Sequence, residues 1–149
     1  MNMGINIFVG LRLMVGILFV ISGGEKLVNP YQNFLYVLQS YELVGPPLEE
    51  GIAHVIPWVE FFLGIFIFLG LWLNVVLRGL FILVFMFLFT VAQAVVRRLP
   101  LVECGCFGGL VSFPLPVTFM LDAALLILTR ILIKKIKQTS RLSLDGYWE

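Results

Sequence analysis

Residues 60–98 read EFFLGIFIFLGLWLNVVLRGLFILVFMFLFTVAQAVVRR. Between Glu60 and Arg78 lie 17 uncharged residues, and between Arg78 and Arg97 another 18. A predominantly apolar run of about 18 or more residues crosses about 30 Å of hydrocarbon as a helix, at about 1.5 Å per residue. Two such runs almost end to end predict a hairpin of membrane spans, one closing near Leu73 and the next opening near Val76.

The pattern continues on both sides. Another 18 uncharged residues separate Glu103 from Asp122. The 149-residue chain is 60% hydrophobic and 13% charged, with a mean hydropathy of +1.04. Soluble domains carry about 45–50% apolar and about 25% charged residues. The composition therefore excludes a soluble enzyme, a nucleic-acid binder and a disordered chain, while a net charge of +1 says nothing about partners. Four spans fit, at about residues 5–23, 53–73, 76–96 and 116–133, which predicts an all-α four-transmembrane-helix bundle. They leave room for a single membrane domain over 1–149 and no separate soluble one.

The amino terminus lacks a basic leader region and a small-residue cleavage motif, and Arg12 interrupts its apolar run. A retained first span is the expectation. Lys134, Lys135, Lys137, Arg141 and Arg78 fall on one side, against Lys26, Arg97 and Arg98 on the other. That asymmetry predicts cytoplasmic termini, and outward segments at Glu25–Ile52 and Arg97–Leu115 (periplasmic in a diderm bacterium). The cytoplasmic tail, 134–149, opens with a basic cluster suited to anionic headgroups.

The first outward segment carries its own helix signal. Asn29 can cap a helix with Pro30 at its first position. Tyr31, Phe34, Leu35, Leu38 and Tyr41 recur at helical spacing, among Gln32, Asn33, Gln39 and Ser40. A short amphipathic helix over about 30–42 follows, lying at the membrane interface or packed as a loop helix, and Gly45, Pro46 and Pro47 end it.

The sharpest chemical feature is Glu103-Cys104-Gly105-Cys106-Phe107-Gly108-Gly109, which holds the only two cysteines. Three readings compete. A metal site needs two more ligands, and His54 is the single histidine. Two inert buried thiols fit the general burial of cysteine. A redox-active pair fits the spacing best: Gly105 permits a tight turn, and so small a disulfide ring is strained and reducible. A staple is the weak explanation, because a short closed loop adds little stability. Glu103 beside the pair could take a proton, while its charge would raise a neighbouring thiol's pKa.

Intramembrane polar groups form the second signal, since a charge at mid-bilayer is expensive unless paired or hydrated. Arg12, Glu60 and Asp122 each fall inside a span, and an Arg12–carboxylate cluster in the bundle interior is the economical expectation. Gln93 in the third span could join it by hydrogen bonding. His54, Trp58 and Phe61 are read as one face near the outer mouth of the second span, bordering a quinone or lipid-headgroup pocket beside Glu60. An interfacial Trp is, however, common in membrane proteins.

These residues resemble a known family. Arg12, Ser22-Gly23-Gly24-Glu25-Lys26-Leu27 and Asn29-Pro30 resemble the first-span signature of DoxX-like membrane proteins. Pro57, Glu60, Gly64 and Gly70 resemble their second-span pattern, and Cys104-Gly105-Cys106-Phe107-Gly108 resembles the cysteine motif of the related MauE branch. Asp122 sits where that branch carries an acid or amide. The resemblance implies four membrane helices and redox work: a periplasmic thioredoxin-like partner for the MauE branch, and a thiosulfate:quinone oxidoreductase for DoxX. It makes Cys104 and Cys106 the redox pair, and Arg12, Lys26, Glu60 and Asp122 polar positions of unassigned role. Quinone-coupled disulfide oxidases with four helices generally use two cysteine pairs, and this chain has one.

The expectation is thus an inner-membrane thiol–disulfide oxidoreductase, with Cys104, Cys106 and Glu103 as catalytic candidates. Arg12, Lys26, His54, Trp58, Glu60, Gln93 and Asp122 are the candidate intramembrane polar cluster or quinone pocket. No metal and no covalently bound cofactor is expected; quinone is the candidate small redox partner. The alternative is a non-catalytic anchor or assembly subunit of a larger respiratory or oxidoreductase complex.

Overall fold

The computed structural model describes residues 3–98 and 114–139. Cys104, Cys106 and Glu103 lie outside the described residues, as does the tail beyond 139. The order of elements is α1 (Met3–Val28), α2 (Tyr31–Ser40), α3 (Pro46–Leu69), α4 (Leu73–Val96), α5 (Leu115–Lys134) and α6 (Ile136–Thr139). Four of these helices, α1, α3, α4 and α5, are long and apolar enough to span a membrane. The molecule is a multi-pass, all-α membrane bundle, as the composition required.

Helix ends differ from the sequence expectation for local reasons. α1 runs through Gly23 and Gly24 to Val28, stopping where Pro30 disfavours helical backbone at Asn29. Pro30 itself caps α2, with φ −54° and ψ 130°, so the predicted Asn29 cap moves one residue on. Pro46 and Pro47 both end the α2 connection and open α3, because the first helical turn has no use for their missing N–H groups. At the other end of α3, Gly70 adopts φ 74°, Gly70 N–H bonds Ile67 O, and Leu71 N–H bonds Phe66 O. This paired closure turns the chain within three residues, so α4 starts at Leu73 rather than near Val76.

The main packing pairs are α1 with α3 and α4 with α5. The buried face of α1 carries Val9, Arg12, Val15, Phe19, Ser22 and Lys26; that of α3 carries Ala53, Pro57, Glu60, Gly64 and Ile67. Both recur every three or four residues, the spacing of helices that pack along a continuous seam. Glycines set their separation: a Cβ on Gly64 would fall 2.6 Å from Val20 N, and one on Gly23 would fall 2.6 Å from Phe61 N. Such backbone approach is how membrane helices gain packing energy where lipid removes the hydrophobic drive.

The bundle has two ends of different character. The start of α1, the α3–α4 turn and the end of α5 form a terminal face. The end of α1, α2, the end of α4 and the start of α5 form a loop face. The apolar core of Val15, Phe19, Ile67, Leu77, Leu80, Val84 and Leu132 occupies the terminal half. The buried Ser22, Lys26, Glu60 and Asp122 lie toward the loop face, while buried Arg12, Thr129 and Thr139 lie toward the terminal one. Where the basic cluster follows α5, α6 packs on α1 and α5, with Thr139 fully buried.

Candidate functional site

Near the loop face, Lys26 Nζ donates to both carboxylate oxygens of Glu60, at 2.8 Å to Oε1 and 2.7 Å to Oε2. Ser22 Oγ bridges the two, lying 3.3 Å from Lys26 Nζ and 3.3 Å from Glu60 Oε2. All three side chains are buried, Glu60 completely. The helix directions make this pair. Side chains lean toward their own helix N-terminus, so Lys26, at the C-terminal end of α1, reaches back into the bundle. Glu60, on the antiparallel α3, leans up to meet it. Desolvating each ion costs several kcal/mol, which only close, saturated geometry offsets.

Aromatic rings complete the lysine's surroundings. Its Nζ lies 5.2 Å from the Phe34 ring centroid and 5.5 Å from that of Phe87, within cation–π range. Asp122 of α5 is 4% exposed and within electrostatic reach of Lys26 and Glu60. Its Oδ2 has no hydrogen-bond partner among the described residues. Among the described residues, one cation therefore faces two carboxyl groups, and the set holds either a net negative charge or an exchangeable proton.

Tyr41, at the end of α2, is 3% exposed. Burial pushes its phenol up to about 12, and the nearby Asp122 carboxylate pushes the same way. Gln93 Nε2 donates to the Tyr41 carbonyl at 3.3 Å. Outside, Arg97 Nη2 meets Glu42 Oε2 at 3.3 Å, joining the end of α4 to the end of α2. The helix α2, expected at the interface or as a loop helix, lies on α3 and touches α1. Beneath it is a cavity of about 560 Å³, whose lining includes Lys26, Phe34, Leu38, Tyr41, Phe87 and Thr90.

Several anticipated neighbours are apart. Arg12 does not join the carboxylates: its Nη1 donates to Thr139 O at 2.8 Å. Because α1 runs on to Val28, Arg12 stands about 21 Å from Lys26 along the helix and leans toward the terminal face. The cation beside Glu60 is Lys26, whose charge the sequence reading had placed in the outward loop. His54 and Trp58 lie on the outer side of α3, both exposed, away from buried Glu60. His54 Nδ1 bonds Glu50 O at 2.8 Å, and its ring meets Tyr31 in a tilted contact with centroids 4.5 Å apart. Trp58 stacks on Phe62, and these two with His54 and Phe66 line a shallow groove on the outer face of α3. Phe61 turns the other way, to Gly24. The anticipated pocket beside Glu60 is therefore on the opposite flank of α3, under α2.

Ser22 and Tyr41 were not singled out by sequence as site residues. The i, i+4 spacing of Ser22 and Lys26 on the face of Phe19 and Gly23 was the available signal. Among the described residues, no group of three or more His, Cys, Asp or Glu is placed to hold a metal ion.

The fold and this site define a class: a small four-span membrane protein with a buried lysine–carboxylate cluster beneath an apolar cavity. The family model of the methylamine utilisation protein MauE matches residues 4–135. The chain belongs to the MauE family. No curated protein and no solved structure matches it.

Proposed function

We propose that this chain is a thiol–disulfide redox protein of the bacterial inner membrane, exchanging electrons through Cys104 and Cys106 with a periplasmic thioredoxin-like protein or a quinone. The observation that carries the reading is the motif itself: the only two cysteines, one residue apart, in a member of the MauE family. The described chain flanks the motif at Arg98 and Pro114, on the face that holds the Lys26–Glu60–Asp122 cluster. Orientation is supported by the burial of Lys26, which removes one cation from the loop-face count. Arg97 and Arg98 remain there, against Arg78, Arg130, Lys134, Lys135, Lys137 and Arg141 on the terminal side, which favours cytoplasmic termini.

In the exchange, a thiolate of the pair attacks the partner's disulfide, whose S–S bond breaks as a mixed disulfide forms. The second cysteine then attacks the mixed disulfide. The partner leaves as a dithiol, two electrons richer, and the Cys104–Cys106 bond closes. The reverse sequence reduces the chain.

Single Cys104→Ser and Cys106→Ser variants test this. One of them is expected to accumulate a mixed disulfide with a periplasmic protein, visible as a reductant-sensitive band, and the other is not. If neither traps a partner and both support full function, the redox reading fails. A chain that also co-purifies in a stable complex is then an anchor or assembly subunit.

A further inference from the structure

We propose that the cavity beneath α2 binds the ring of a lipid-soluble quinone, entered sideways from the membrane past α4. The inference rests on the redox reading above, and locates its small-molecule acceptor. The cavity's volume of about 560 Å³ is that of a small-molecule site. Its mouth is made by Phe85, Met86 and Phe89 of α4, which are 54%, 54% and 61% exposed. At mid-span those faces meet lipid, so the entrant is a molecule already dissolved in the bilayer.

The interior specifies more than an acyl chain. Phe34, Tyr41 and Phe87 supply ring surfaces, and the buried Lys26 ammonium lies at the inner end between Phe34 and Phe87. A hydrocarbon chain has no use for that cation, and a phosphate headgroup would have to leave the interface to reach it. A planar ring bearing carbonyl oxygens satisfies both features. Of the three Lys26 hydrogen bonds, the one to Ser22 Oγ is the longest, at 3.3 Å, and a carbonyl oxygen could take that N–H in its place. Behind the lysine, Asp122 presents a buried carboxylate oxygen without a partner among the described residues. A quinone taking two electrons also takes two protons, and the Tyr41 phenol in the cavity lining and Asp122, within electrostatic reach of Lys26, are groups that can hold a proton near it. With the cysteine pair as donor the balance closes: two S–H bonds break, one S–S bond and two O–H bonds form, and the quinone leaves as hydroquinone.

Photolabelling of the full-length chain in lipid nanodiscs with a short-chain azidoquinone tests the site. Label is expected on α2 and on the Phe85–Val91 stretch of α4, and excess unlabelled quinone should compete it away. Leu38→Trp, which fills the cavity from a short surface helix and spares the four spans, should lower labelling about tenfold or more. Label confined to the Trp58–Phe62 groove overturns the proposal. So does label that excess quinone does not displace, or a photoreactive phospholipid chain that occupies the cavity instead. The mixed-disulfide trap reports separately: trapping without cavity label sinks this site alone, and cavity label without trapping sinks the exchange with a protein partner.

Discussion

Lys26 and Glu60, 34 residues apart in sequence, meet through both carboxylate oxygens at 2.7 and 2.8 Å, with essentially no solvent access to either side chain. The contact ties the last turns of α1 to the middle of α3, where Gly23 lets the two backbones touch. It also sets the polar floor of the cavity roofed by α2. Packing and chemistry at the loop face thus depend on one pair.

Removing one member should hurt more than removing both. Lys26→Met leaves a buried carboxylate without its cation, and a loss of about 3–5 kcal/mol is expected. The double variant Lys26→Met/Glu60→Met replaces two ions by apolar groups and should recover most of that loss. Unfolding of the wild type, Lys26→Met, Glu60→Met and the double variant in mixed micelles gives the cycle; equal destabilisation by the single and double variants contradicts the pairing.

Asp122 should behave unlike Glu60. Its Oδ2 has no hydrogen-bond partner among the described residues, and it adds a second negative group beside a single cation. Asp122→Asn is therefore expected to change stability by less than about 1 kcal/mol or to raise it, whereas Glu60→Gln lowers it by several. A large loss in Asp122→Asn, measured the same way, would mean that Asp122 carries a structural bond despite its unpartnered Oδ2.

The spans were legible because apolar runs of this length have one use, and the α3–α4 hairpin could be placed within a few residues. Polar partners were harder. Depth counted from helix ends put Arg12 near the carboxylates, but α1 continues five residues beyond Gly23, and the lean of each side chain then decides the partner. That lean sends Arg12 away from Glu60 and Lys26 toward it. Lys26 was named as a candidate through the family resemblance, but the span boundaries alone put it in the outward loop, because a lysine just past an apolar run reads as a loop charge until the helix is seen to continue. Glu60 and Asp122 were recognisable, because acids in mid-span demand explanation. The cavity was invisible, since it depends on how α2 packs on α3 and leaves a space facing α4.

The glycine seam separates packing from propensity. Gly64→Ala puts a Cβ 2.6 Å from Val20 N, a backbone atom that cannot swing aside, so α1 and α3 must part at a cost of about 1–3 kcal/mol. Gly10→Ala meets nothing within 4 Å and should gain about 0.5–1 kcal/mol from helix propensity. The two substitutions are chemically identical, so opposite signs in one unfolding assay locate the seam.

Tyr41 provides a pH signature. Its phenol is pushed up to about 12 from the usual 10.0, first by burial and then by Asp122. Because the folded value lies above the unfolded one, the neutral phenol contributes stability that is complete below about pH 10 and is lost as pH rises through about 12. A tyrosinate absorbance titration should show a step near pH 12 that Tyr41→Phe removes. A Tyr41→Phe titration that keeps this step would assign it to another tyrosine and overturn the prediction.

At the opposite end, Arg12 and α6 should be coupled. The Arg12 guanidinium, 2% exposed, donates to the Thr139 carbonyl, and a hydrogen bond to a charged group is worth about 1.5–3 kcal/mol. A chain ending at Lys135 loses that acceptor while keeping the buried cation, and should be destabilised accordingly. In the full chain, Arg12→Met should also cost stability, because Thr139 then offers its carbonyl to nothing. Combined, the two changes remove both partners, and the total should fall short of the sum by about 1 kcal/mol or more. Additive losses would mean that α6 and Arg12 stabilise the bundle independently, and that the contact between them is incidental.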